Sequence, residues 1–154
     1  MSNARNLANL LGTGTTISTS KLGLTFSNGS ATQDGTSNNT VYDMVTGLTI
    51  PSKALIVIGY DFNPKSGQNG VPGSNATCWV LITDSSNSAI DSSTASNMVN
   101  ANPVVGYRNV IGQVTYFNET GSDLTSHKIR AQQYADGTLN SSVITIKYKI
   151  IGFG

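Results

Sequence analysis

The chain has 154 residues, and only 11% of them are charged, against about a quarter in an average soluble protein. Nine Lys and Arg against eight Asp and Glu leave a net charge of +1, while 19 Ser, 18 Thr and 16 Asn make up about a third of the residues. A surface of hydroxyls and amides excludes a nucleic-acid binder, which needs clustered cations to displace phosphate counterions. The scarcity of Ala, Glu, Lys and Leu excludes a coiled coil. No apolar run reaches the ~18 residues of a membrane span, so neither nucleic acid nor membrane is expected as a partner.

In chain order, the first element is a short helix over residues 3–11. Ala4, Leu7, Ala8 and Leu11 recur at i, i+3, i+4 and i+7, with Leu10 beside them. Ser2 or Asn3 can cap its start and Gly12 its end. At two and a half turns it needs a surface to lie against. Residues 12–40 are polar and glycine-rich. Leu22, Leu24 and Phe26 suggest a brief strand, and Ser27–Thr40 reads as a long loop with turn signals at Asn28-Gly29 and Asp34-Gly35.

Beyond Val41 the pattern changes. Ala54–Phe62, Ala76–Thr83, Val104–Phe117 and Ser142–Gly152 are strong strand segments, the third long enough for two strands or for one bent at Gly112. The last alternates with period two, setting Val143, Thr145 and Lys147 against Ile144, Ile146 and Tyr148. Weaker strands fit 41–47, with 48–50 as an optional continuation, and 123–135, and residues 65–75 and 84–102 read as loops. Seven or eight short strands with one helix predict a mainly β fold, an antiparallel β-sandwich, and long end loops favour the jelly-roll type. The expected organisation is an N-terminal helix and extended polar arm over 1–40 and a sandwich domain over 41–154.

Candidates for chemistry are sparse. General acid–base work needs a titrating group beside a partner, and the single histidine, His127, reads as a surface or inter-strand residue on the face opposite Lys128. The lone Cys78, next to Trp79 in an apolar run, reads as a buried small hydrophobe. Asp84 to Asp91 gathers two carboxylates in one loop, but the spacing matches no calcium-loop pattern. No catalytic residue, no metal site and no cofactor is assigned, and no enzymatic activity is expected. Tyr60, Tyr107, Tyr116, Phe117 and Tyr134 lie in or near strands, where packing explains them more simply than a sugar platform. The apolar excess of the C-terminal strands points to packing between subunits through Tyr107, Tyr116, Phe117, Tyr148 and Phe153.

The opening Ser2-Asn3-Ala4-Arg5-Asn6-Leu7-Ala8-Asn9-Leu10-Leu11-Gly12, followed by Thr15-Thr16-Ile17 and Leu22, resembles the N-terminal segment of tailed-bacteriophage virion proteins. In those, an ARxLAxLL stretch leads through a polar linker into a β-rich module. The resemblance covers about 25 of 154 residues. It implies a virion structural protein, with capsid decoration or cement as the first placement. Ala4, Leu7, Ala8, Leu10 and Leu11 would then anchor the chain to the major capsid protein or other virion proteins, and a homotrimer is expected. The second placement is a short tail-fibre or tail-tip protein whose sandwich binds a host glycan through loops 63–75 and 84–102. A neutral, hydroxyl-rich surface suits either, because its contacts lose little as salt rises.

Overall fold

The computed structural model describes residues 22–35, 39–65, 75–90, 95–100, 110–135 and 141–154. The helix expected over 3–11 lies outside them. Eight strands form two four-stranded antiparallel sheets. The first holds β1 (Leu24–Gly35), β8 (Ser141–Phe153), β3 (Ala54–Lys65) and β6 (Val110–Phe117), in that spatial order. The second holds β2 (Val41–Ile50), β7 (Leu124–Ala135), β4 (Asn75–Thr83) and β5 (Ala95–Asn100). Hydrogen-bonded partners include β1 with β8, β2 with β7, β3 with β6 and β4 with β5. The chain is thus one long hairpin folded over on itself.

Alternation decides which side chains make the core. Ala54, Ile56, Ile58, Tyr60 and Phe62 of β3 and Ile144, Ile146 and Ile150 of β8 point inward, against Cys78, Val80 and Ile82 of β4 and Ile129 and Ala131 of β7. Each fully buried Ile or Phe contributes about 1.5–3 kcal/mol relative to exposure. The expected split of β8 holds, since Ile144 and Ile146 are fully buried while Lys147 is exposed.

Two differences from the sequence reading have clear causes. Ser27–Gly35 is strand rather than loop, because β1 pairs with β8 in unbroken register from Leu24↔Phe153 to Gly35↔Ser142. Asn28-Gly29 is not a turn; Gly29 faces Tyr148 across the ladder, and a Cβ there would collide with the tyrosine ring. The stretch 84–102 likewise contains β5, a polar six-residue strand.

Polar groups tie the layers at their ends. Asn118 is fully buried, and its Nδ2 donates to the carbonyls of Ile50 (3.0 Å), Pro51 (3.0 Å) and Ser122 (2.9 Å). Its Oδ1 accepts from the backbone N–H of Thr120 at 3.1 Å and from the Thr120 hydroxyl at 2.7 Å. One side chain therefore joins the β2–β3 turn to the β6–β7 loop. At another corner Ser142 donates to Gln133 Oε1, and Gln133 Nε2 donates to the Tyr42 hydroxyl at 3.3 Å. Buried polar atoms are stable here because they are paired.

Candidate interaction surface

The outer face of the first sheet is divided. Phe26 of β1 stands opposite Ile151 of β8, Ile151 opposite Leu55 of β3, and Leu55 opposite Phe117 of β6. A row of large apolar side chains therefore crosses all four strands. Phe26 is 47% exposed, Phe117 41% and Phe153 43%, while Ile151 and Leu55 are half-buried. The Phe117 and Phe153 rings meet across the start of β3 at a centroid distance of 6.1 Å. Lys149 sits over the Phe26 ring with its Nζ 5.2 Å from the centroid, a cation–π contact at the border of the row. Leu22, 54% exposed, continues the apolar character to where the described chain begins.

Next to the row the same face turns polar. A shallow groove of about 560 Å³ is lined by Asn28, Ser30, Val57, Gln113, Lys147 and Lys149. Gly59 contributes to it by lacking a side chain: the only nearby atom a Cβ would meet is the Lys147 carbonyl oxygen at 3.9 Å.

On the second sheet the outer face carries ions and aromatics. Asp43 receives Lys128 Nζ at 3.0 Å and Arg130 Nε at 2.7 Å. Hydrogen bonds from Lys128, then Arg130, hold its carboxyl below the usual carboxylate range. Trp79 and Tyr134, on neighbouring strands, lie at 6.5 Å between ring centroids with 24° between their planes.

The residues expected to pack between subunits separate into three groups. Phe117 and Phe153 lie together in the exposed row. Tyr116 and Tyr148 are half-buried against the core of their own chain. Tyr107 lies outside the described residues, as do Ala4, Leu7, Ala8, Leu10 and Leu11. Composition pointed to the C-terminal apolar excess, but Phe26, Leu55 and Ile151 join the row only through strand register, which no local pattern reveals.

The candidates for chemistry occupy structural places. His127 faces inward, and its Nδ1 lies 2.8 Å from the Thr125 carbonyl; that oxygen only accepts, so Nδ1–H is the donor. Cys78 is fully buried, and burial pushes its thiol up to about 12. Asp84 closes a tight turn: its Oδ1 accepts from the Ser88 N–H at 2.9 Å, and its own N–H donates to the Ser88 carbonyl at 2.9 Å. Asp91 lies outside the described residues. Among the described residues no three His, Cys, Asp or Glu side chains gather where they could hold a metal ion. No helix among them is long and apolar enough to cross a membrane.

No family model matches the chain, and no curated protein matches it. Solved structures do. A chain from the structure of infectious bursal disease virus, Gx strain, superposes over 85% of this chain and 33% of its own, with a TM-score of 0.53 and 11% identity. A chain from the acid-stable capsid structure of Helicobacter pylori bacteriophage KHP30 matches over 82% of this chain and 92% of its own, with a TM-score of 0.45 and 14% identity. A chain from Bacillus endospore appendages, described as disulfide-linked pili, matches over 84% and 89%, with a TM-score of 0.41 and 13% identity. The first likeness shows the fold. This chain spans about a third of the length of the infectious bursal disease virus chain.

Proposed function

We propose that this protein is a non-enzymatic structural component of a virus particle, built on a β-sandwich of the jelly-roll type. The observation that supports this best is the order in which the strands pair: first with last, second with seventh, third with sixth, fourth with fifth. Two interlocked Greek keys of eight strands have this arrangement, and the superposed chain at a TM-score of 0.53 comes from a virus. The charge-poor surface and the embedding of Cys78, His127 and Asp84 in packing and turn hydrogen bonds fit a role of persistent contact rather than turnover.

Within that role the protein is a capsid decoration or cement protein. Its N-terminal arm binds the major capsid protein through Ala4, Leu7, Ala8, Leu10 and Leu11, and the sandwich bridges neighbours. Since β1 belongs to the sandwich, the arm is residues 1–21. Three copies associate, with Phe117 and Phe153 at their contacts. Deleting residues 1–21 tests the arm: particle binding is lost while the sandwich keeps its β spectrum. Binding that survives the deletion overturns it.

A second reading, a tail protein that binds a host glycan, is favoured by the Trp79–Tyr134 pair. Near-parallel rings on adjacent strands give a sugar ring an apolar platform, and Gln132, which donates to Asn39 at 2.8 Å, supplies amides nearby. Saturable binding of host polysaccharide, lost in Tyr134→Ala, would decide for this reading.

A further inference from the structure

Glycine inside a strand weakens it, and it marks a bend, a crowded neighbour or the close approach of a ligand. Among the described residues most strand glycines have a local reason. A Cβ on Gly29, Gly35, Gly112 or Gly152 would collide with Tyr148, with Gln133 and Ser142, with Tyr60 or with Thr25, and Gly47 has φ +68°. Gly59 has neither reason. Its φ is not positive, and a Cβ there would make only an ordinary contact with the Lys147 carbonyl oxygen at 3.9 Å. What its missing side chain does is leave bare backbone as the floor of the groove on the first sheet. We infer that this groove binds an acidic saccharide, with Lys147 and Lys149 on its carboxylate or sulfate groups and Asn28, Ser30 and Gln113 on its hydroxyls.

Strand register assembles these side chains. Ser30, Lys147, Gly59 and Gln113 follow one another across β1, β8, β3 and β6, with Asn28 and Lys149 in the next row. Gly59 thus opens a notch between Lys147 and Gln113. The groove's volume of about 560 Å³ falls within the ~300–1,000 Å³ of small-ligand sites.

Charge points the same way. Both lysines are exposed, and among the described residues neither is in a salt bridge, whereas Lys128 and Arg130 of the other sheet share Asp43. They stand on one face two residues apart, ~7 Å along the strand, and an anion between them relieves the repulsion of like charges. Lys149, held over the Phe26 ring at 5.2 Å, closes one end of the groove. At the other end Asp61 and Thr145 line a second depression of about 280 Å³ that shares Gly59 and Lys147 with the first. The Asp61 carboxylate repels a second acid there, so the ligand's charge belongs over the lysines and a neutral sugar unit over Asp61.

Topology selects a saccharide over other polyanions. β8 and β3 are inner strands with ladder partners on both sides, so an acidic peptide cannot add to them as a strand. Two lysines release too few counterions to hold nucleic acid, whose binders make about 6–10 phosphate contacts. Amides and hydroxyls around a pair of cations match a chain with many hydroxyls and few acids.

The site is on the sheet opposite Trp79 and Tyr134 and does not depend on the virion reading. Lys147 is four residues from Ile151 along β8, ~13 Å, so the groove and the phenylalanines occupy different parts of the face.

Calorimetric titration of the full-length protein tests it, with oligogalacturonate as the carboxylated probe, heparin oligosaccharide as the sulfated one, and maltooligosaccharide and polyglutamate as comparisons. At least one acidic saccharide should bind saturably, and which of the two does so identifies the acid. Lys147→Gln/Lys149→Gln should weaken that binding on the order of tenfold or more, as loss of charge-assisted contacts does. Gly59→Val fills the notch and should weaken it similarly while the melting temperature holds or rises, because valine suits a strand better than glycine. Should Gly59→Val unfold, the lysine pair, whose side chains are exposed, carries the test alone. Binding of neither acidic saccharide would overturn the inference, as would equal binding of maltooligosaccharide or binding indifferent to the lysine variant. Equally tight binding of polyglutamate would overturn it in favour of an acidic polypeptide, and binding lost in Tyr134→Ala but not in the lysine variant would move the site to the aromatic pair.

Discussion

The Tyr60 ring lies against Gly112, its register partner on the next strand, so closely that the site has no room for even a methyl group. Gly29 and Tyr148 repeat the arrangement between β1 and β8. In both, an inward tyrosine lies over the backbone of an edge strand, where the glycine supplies the space. Gly112→Ala should therefore destabilise the fold by about 1–3 kcal/mol, the usual cost of overpacking. Tyr60→Leu in the same background should recover part of that loss. Gly121→Ala is the contrast: with φ +77° and nothing within 4 Å of a Cβ, it should cost only ~1 kcal/mol of backbone strain. Denaturant melts of the four proteins check the order.

Asn118 should be one of the least replaceable polar residues. Asn118→Ala removes donors from three carbonyls and the acceptor for Thr120. Each buried group left unpaired costs about 1–3 kcal/mol, so a loss of ~3 kcal/mol or more in equilibrium unfolding is expected. Asn118→Asp at neutral pH should be at least as harmful, because a carboxylate turns acceptors toward carbonyl oxygens.

Cys78 gives a pH prediction. Burial raises its thiol from an ordinary 9.0 to about 12. A raised value in the fold means the protonated form is favoured there, so its contribution is complete below pH 9. It is lost as pH rises toward 12, because the unfolded chain ionises first. Cys78→Ala should flatten the decline in stability over that window. Alkylating reagents should label Cys78 only as the protein unfolds; rapid labelling of the native protein would contradict its burial.

The strands with the strongest apolar runs, β3, β4 and β8, are legible in the sequence because most of their inward positions are large apolar residues: Ile56, Ile58 and Phe62, Val80 and Ile82, and Ile144, Ile146 and Ile150. The edge strands β1 and β5 are not. β1 carries two dipeptides that ordinarily turn, and its pairing is dictated by twelve partners on β8 rather than by its own residues. β5, ASNMVN, has little apolar alternation and pairs with β4. Of the surface row, Phe117 and Phe153 follow from the apolar C-terminal strands. Phe26 and Leu55 do not, because they meet the row only when β1 and β3 take their places on either side of β8.

The row also predicts a separation of assembly from stability. Phe117 and Phe153 are more than 40% exposed, so Phe117→Ser/Phe153→Ser should shift the unfolding free energy by less than about 1 kcal/mol, as surface changes do. The same double variant should weaken association between copies and with particles. Light scattering of the purified protein and particle co-sedimentation would measure both, and unchanged association would remove these residues from the contact.

Immunogold labelling of intact virus particles with an antibody to this chain tests the structural role most directly. Label distributed over the shell is the expected result, and label confined to the tail would favour the glycan-binding reading. Particles that never carry the label, from cells that make the protein, would contradict a virion role.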